Sequence, residues 1–531
     1  MDNILFHSRE GVSPSLLWRS AALLLLLAYV LHLGLHPLVL EEPRRAIITL
    51  EMLANDNPWA PTFLGEWYYK KPPVYNWVLL LSAWIGGGPS EWAFRLPTVL
   101  SIAGIAGLLL LAGRRYHSLE MGVLSALLFA VSIDVLFYFS ILAEIDLFYA
   151  FVSFAGILSV FHFYQQQQYY LLFVAAYGLG AVGFLTKGLP SIPFTGITIG
   201  VYLLYKRQWS LLFSPAHLAG LLLFATLVGG YYYQYSRYAP LPPLLGELFS
   251  ESGDRTIVAT GLGAFGIHAL LFPLDTLKIL LPASLLLLYL PPLRVLREQL
   301  LRQEYVAFAL LVFLANYLLY WVSPGSRQRY IYPILPLAMV PLVFFYLENR
   351  LQRKWADAVL GWVTVVLIGV LGAAGLALPF FSLFDGIGGR IPLAVGSLLF
   401  SSWLYTLWRQ RRQRSLLLLI LVLAGARLLF SAVFLPLRAA DERDLHNKQS
   451  AELLHQAAVE EPIYLLGNTE LPKTTIYYLD ALRPQRPLTR QASMDRPGRY
   501  LTDKTGLDSS RQEVGLELFF DDKPLWLVRP N

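Results

Sequence analysis

LLWRSAALLLLLAYVLHLGLHPLVLEEPRR, residues 16–45, is the stretch on which the fold turns. Its apolar run, Leu16 to Leu40, is long enough to cross a bilayer, which takes about 20 apolar residues. It stops abruptly on two carboxylates, Glu41 and Glu42. The run is longer than a signal-peptide core and lacks a clear small-residue cleavage site, so it reads as a retained first span. Similar runs recur along all 531 residues, of which 56% are hydrophobic and only 15% charged. Mean hydropathy is +0.51. Soluble domains are about 45–50% apolar and about 25% charged, so this composition excludes an ordinary soluble protein and a disordered one. Continuous rather than alternating apolar runs argue against a β-barrel. The class is an all-α polytopic membrane protein.

Thirteen spans are expected, near 15–37, 92–113, 119–139, 146–164, 169–186, 188–205, 211–231, 268–292, 305–323, 330–347, 356–380, 391–408 and 415–436. Residues 74–88 are apolar but short and end in Gly86, Gly87, Gly88 and Pro89, which suits a re-entrant or interfacial piece. Charge tests this count. One set of alternate connectors carries Arg114 and Arg115, Lys206 and Arg207, Arg294, Arg297 and Arg302, Arg350, Arg353 and Lys354, then Arg409, Arg411, Arg412 and Arg414. Dense basic connectors belong on the cytoplasmic side. The N-terminus is therefore expected inside, and the loops 38–91 and 232–267 outside. After the transmembrane part, 1–436, residues 437–531 turn polar, with strand-like runs at 462–467 and 524–530 and a helix-like stretch near 476–482. That reads as a small outer α/β domain. Net charge is +6, and basic connectors account for it better than nucleic-acid binding does, since no nucleic-acid motif is present. There is no cysteine, hence no disulfide or thiolate chemistry.

The polar residues that need a reason lie in the outer loops. In EEPRRAIITLEMLANDNPWAPTFLGEWYYKKPPVYNW, residues 41–77, Pro43 suits a helix start. Ala46, Ile47, Leu50, Leu53 and Ala54 share one face, while Arg44, Arg45, Thr49 and Glu51 point elsewhere, as in an interfacial helix. Glu41 and Glu42 suit either a solvated helix N-terminus or a catalytic pair. Tyr68, Tyr69, Lys70 and Lys71 before Pro72-Pro73 suit an interfacial anchor or a phosphate contact. In ILAEIDLFYAF, residues 141–151, Glu144 and Asp146 open an apolar span, where ionisable groups are costly and usually functional. Lys187 in FLTKGLP either snorkels or binds an anion. Arg327 and Arg329 in SPGSRQRYIYPILP, residues 323–336, run against the positive-inside bias and offer a fork to phosphate oxygens. Loop 232–267 brings Glu247, Glu251, Asp254 and Arg255, followed by His268. A lone histidine is a poor metal signal, and no nucleotide-binding glycine loop is present. Carboxylates to take an acceptor proton and cations to stabilise a phosphate leaving group together suit group transfer from a membrane-embedded phosphate donor.

These segments resemble the C-type membrane glycosyltransferases that use polyprenyl-phosphate sugars, in the branch of the lipid A aminoarabinose transferases and protein O-mannosyltransferase-like enzymes. The resemblance covers most of 15–340 and extends loosely into the C-terminal domain. The family's acidic pair, usually Asp-Glu, falls on Glu41-Glu42, with Arg44 following. Its Lys-Pro-Pro segment falls on Lys71, Pro72 and Pro73, its second-loop acid on Asp146, its Phe-Leu-Thr-Lys-Gly-Pro stretch on FLTKGLP, and its Arg-Tyr-aliphatic-X-Pro stretch on Arg329-Tyr330 through Pro333. The chain departs from the family at Glu41, where aspartate is usual, and at Lys70, where glutamate is usual. It also lacks a histidine in ELFSESGDRT, residues 247–256.

The resemblance implies an inverting transfer of one sugar from undecaprenyl phosphate to a lipid A-type, glycan or protein acceptor at the periplasmic face of a bacterial inner membrane. It implies catalytic roles for Glu41, Glu42 and Asp146, and donor-phosphate binding by Lys71, Lys187, Arg329 and Tyr330. Arg44, Tyr69, Glu144 and Glu251 are expected as acceptor or loop contacts. A divalent metal is the only cofactor to consider. The alternatives are a transporter or flippase, which would distribute polar groups through several spans, and an oligosaccharide ligase for lipid-linked glycans.

Overall fold

The computed structural model describes residues 14–253, 262–410, 415–507, 512–520 and 523–530. It is a multi-pass membrane protein. Eight helices are long and apolar enough to cross a bilayer, or ten if two bent pairs each count as one span. The bent pairs are Leu119–Ala130 with Ile133–Ile141, at 52°, and Gly263–Ile279 with Ala283–Tyr289, at 101°. The second was expected as one straight span over 268–292. It folds back instead around Pro282, which has no N–H to continue the helix. The remaining three expected spans fall on shorter apolar helices, Ser15–Val30, Ser191–Tyr205 and Leu335–Asn349. At about 1.5 Å per residue these alone reach roughly 22–24 Å of a hydrocarbon core about 30 Å thick. Leu23, Leu27, Leu100, Leu111, Trp362, Val366 and Val370 are exposed, as side chains facing lipid should be.

Local sequence sets the turns between spans. Ser118 caps the helix Leu119–Ala130 by accepting from the Met121 N–H, while Arg114 and Arg115 close the preceding helix, Glu91–Tyr116, where positive charge suits the helix dipole. The two helices touch at Gly113 and Gly122. A Cβ on Gly113 would lie 2.4 Å from the Gly122 Cα, so only glycine permits this approach.

Above the spans lies a second layer. Its first member is the helix Glu42–Ala54, followed by a hairpin of β1 (Thr62–Phe63) and β2 (Glu66–Trp67). Gly65, at φ +77°, makes the hairpin turn, and the Glu51 carboxylate accepts from the Leu64 and Gly65 N–H groups at 2.5 and 3.1 Å. The helix Val74–Ile85 comes next, short and with Trp84 and Ile85 exposed. The C-terminal part supplies the helices Glu442–Ala457 and Lys473–Leu482. Its five strands are β3 (Ile463–Leu466), β4 (Thr489–Gln491), β5 (Arg499–Thr502), β6 (Gln512–Phe520) and β7 (Lys523–Pro530), in the order β4-β3-β5-β7-β6. β3 is parallel to β4 and β5, and β5, β7 and β6 pair antiparallel.

This second layer corrects one expectation. The helix Glu42–Ala54 was read as amphipathic, with Arg45, Thr49 and Glu51 turned away from the buried face. Ten of its thirteen residues are buried, those three included. The reason is tertiary. Ala46, Ile47 and Leu50 share one hydrophobic core with Ile476, Leu479, Leu465 and Leu527 of the C-terminal part, while Asn76 donates to the Arg45 carbonyl and Thr49 and the hairpin closes over Glu51, so the helix is covered on both sides.

Candidate active site

Where the two layers meet, a cavity of about 460 Å³ opens. Seven cationic side chains and three carboxylates line it, Arg44, Arg45, Lys70, Lys71, Lys187, Arg327 and Arg329 against Glu41, Glu144 and Asp146. That excess of positive charge in a low-dielectric recess suits an anionic ligand.

Each wall has a local cause. The helix Tyr169–Lys187 stops at Gly188, whose φ of +86° turns the chain and leaves Lys187 as the last helical residue. Its Nζ lies 2.5 Å from Asp146 Oδ1 and 5.1 Å from the ring centres of Tyr149 and Tyr330. Tyr149 follows Asp146 by three residues, so both lie on one face of the helix Ile145–Gln165. Arg329 stands 3.9 Å from the other Asp146 oxygen. Burial pulls the Arg329 pKa down, but Asp146 and Glu144 outweigh it and hold the guanidinium charged, with its pKa raised. On the opposite wall Glu41 pairs with Arg44 at 2.7 Å and with Lys473, from the C-terminal part, at 3.4 Å. Arg45 lies over the Tyr68 ring at 6.0 Å.

Of the expected residues, Glu41, Arg44, Lys71, Glu144, Asp146, Lys187, Arg329 and Tyr330 therefore share one cavity. Three do not. Glu42, expected beside Glu41 as a catalytic carboxylate, is fully buried. Arg95 grips both its oxygens at 2.9 and 3.0 Å, and the Val39 and Ala143 N–H groups donate to them as well. Tyr69 packs into an aromatic cluster with Trp77, Phe184 and Tyr231, and Tyr68 lines the cavity in its place. The Glu251 side chain, with Asp254 and Arg255, lies outside the described residues.

Arg45, Tyr138, Tyr149 and Tyr320 line the cavity but were missed. The i,i+4 spacing of Glu41 and Arg45, and the i,i+3 spacing of Asp146 and Tyr149, were the available signals. Among the described residues no group of three His, Asp or Glu side chains is placed to hold a metal. His268 instead bonds the Tyr320 carbonyl.

Residues 70–232 match the family of dolichyl-phosphate-mannose-protein mannosyltransferases. An undecaprenyl phosphate-alpha-4-amino-4-deoxy-L-arabinose arabinosyl transferase from Pseudomonas savastanoi pv. phaseolicola is 40% identical over 118 residues, 21% of this chain and 22% of that protein. The transferase of the same description from Edwardsiella ictaluri is 28% identical over 209 residues, 38% of this chain and 37% of that protein. The aligned stretches thus span well under half of either relative. The fold extends further. ArnT from Cupriavidus metallidurans, solved bound to undecaprenyl phosphate, superposes with a TM-score of 0.67 at 19% identity, covering 97% of this chain and 98% of that one. In sequence and in fold the chain resembles the C-type, polyprenyl-phosphate-sugar-dependent membrane glycosyltransferases, in the aminoarabinose-transferase and protein-mannosyltransferase branch.

Proposed function

We propose that the chain is an inverting glycosyltransferase of the bacterial inner membrane. It moves a single sugar from polyprenyl (undecaprenyl) phosphate to a hydroxyl or phosphate of a lipid A-type, glycan or protein acceptor on the periplasmic side. The observation that carries this reading is the cationic cavity at the boundary between the spans and the outer layer. Lys71, Lys187 and Arg329 hold the donor phosphate and stabilise the charge that develops as it leaves. Asp146 orients Lys187, and Tyr149 and Tyr330 flank that lysine. Glu41 and Arg44 face the acceptor from the first-loop helix. Glu42 acts through Arg95, positioning that helix. The cations and carboxylates of the loops around the first-loop helix collect in one recess, which favours a transferase over a transporter built on paired broken helices.

Purified protein in lipid nanodiscs, given radiolabelled polyprenyl-phosphate sugars and cell-envelope acceptors, should transfer label. Folded protein that transfers from none of them would end this assignment. The orientation has its own test. Alkaline phosphatase fused after Asn531 should be active, since the dense basic connectors favour a cytoplasmic side opposite the C-terminal part, and an inactive fusion paired with an active cytoplasmic reporter would reverse it.

A further inference from the structure

Four carboxylates lie in or beside the cavity, and three are already engaged by cations. Glu42 is bound by Arg95, Asp146 by Lys187, and Glu41 by Arg44 and Lys473. Protonating any of these would sacrifice an ion pair. Glu144 differs. It is buried, at 6% exposure, and lines the cavity. It precedes the helix Ile145–Gln165 with extended backbone, but its side chain does not cap that helix. Among the described residues it has neither a hydrogen bond nor an ion pair.

Resting on the sugar-transfer reading, we infer that Glu144, rather than Glu41, is the catalytic base that takes the acceptor's proton. The proton of the acceptor O–H passes to a Glu144 oxygen as the acceptor oxygen bonds the anomeric carbon. The bond from that carbon to the donor phosphate oxygen breaks, and its electron pair leaves on the polyprenyl phosphate. Lys71, Lys187 and Arg329 meet the charge.

The surroundings suit this role. Asp146 on its own helix, Arg45 and Glu42 from the first-loop helix, Tyr75, Tyr138 and Arg329 face Glu144. Burial first, and Asp146 second, push its pKa up to about 7, where a general base balances ionisation against proton affinity. Protonation relieves a buried charge here.

The test is Glu144→Gln in the nanodisc transfer assay. Turnover should fall about a hundredfold, within the range for loss of a general base, with the donor KM changed only a few-fold. In the parent enzyme kcat/KM should rise with pH through about 7. That limb should vanish in Glu144→Gln, persist unchanged in Glu41→Gln, and shift, with lower turnover, in Glu144→Asp. A Glu144→Gln enzyme with full turnover and the limb intact would overturn the inference, and so would loss of the limb in Glu41→Gln. If Glu144→Gln does not fold, a Glu144→Asp enzyme with an unshifted limb and unchanged turnover overturns it. A parent enzyme that transfers no sugar at all overturns the sugar-transfer reading, and this inference with it.

Discussion

Arg95→Met lowers the stability of the folded protein by about 3–5 kcal/mol, the usual cost of removing one partner from a buried ion pair. Arg95 sits on the span Glu91–Tyr116 and is fully buried. It grips Glu42 with two hydrogen bonds and donates to the carbonyls of Leu33, His36 and Pro37 at 3.0, 2.8 and 2.8 Å. Methionine fills much of the volume but leaves Glu42 charged and three carbonyls without that donor. The thermal midpoint in nanodiscs should drop sharply. Lysine at this position should not restore it, because a single ammonium cannot reproduce the planar fork. Adding Glu42→Leu to Arg95→Met should recover part of the loss, since the uncompensated charge is then gone. An Arg95→Met protein as stable as its parent would remove Glu42 from the positioning role assigned to it.

Lys187→Met reduces kcat/KM for the donor by about 10²–10³, the range for deleting one preorganised charge-stabilising donor. The lysine is held at 2.5 Å from Asp146 and between two tyrosine rings, a space built for a compact ammonium. Lys187→Arg should therefore recover little. Without Lys187, the one cation still paired with Asp146 among the described residues is Arg329, at 3.9 Å. If Asp146 acts by holding Lys187, the pair Asp146→Asn with Lys187→Met should cost little more than Lys187→Met alone. Fully additive losses would give Asp146 an independent role. Unchanged donor kinetics in Lys187→Met would remove this lysine from the phosphate site.

Much of this was legible in the chain. Long apolar runs locate the span layer because lipid demands apolar surface. Lys71, Lys187 and Arg329 stood out for the opposite reason, as cations in loops where cations are scarce. Two features were not legible. Adjacent helical residues point about 100° apart, yet the chain alone set Glu42 alongside Glu41 as a catalytic candidate. Arg95, 53 residues after Glu42, separates them by drawing Glu42 into the core. Likewise the pattern of Ala46, Ile47 and Leu50 predicts one covered face. Covering the other needs Asn76, which donates to the Arg45 carbonyl and Thr49, and the hairpin N–H groups that meet Glu51, partners that no local period encodes. The bend at Pro282 and the short helix Ser191–Tyr205 show the same limit, since apolar composition measures length of run and not its path.

The contact between Glu41 and Lys473 also has a consequence in time. Lys473 lies 432 residues after Glu41, and Thr474 likewise reaches back to the Leu38 carbonyl. The edge of β4 meets the early hairpin as well, through the Arg490 N–H and the Leu64 carbonyl at 2.8 Å. At about 5–20 residues per second of synthesis, the loop between the first two spans waits roughly 20–90 s for these partners. During that interval its helix has one bare face, and one wall of the cavity lacks its final neighbour. A ribosome-bound intermediate is thus a membrane protein with most of its spans and an unfinished cavity wall, which closes only once Lys473, Thr474 and Arg490 have emerged.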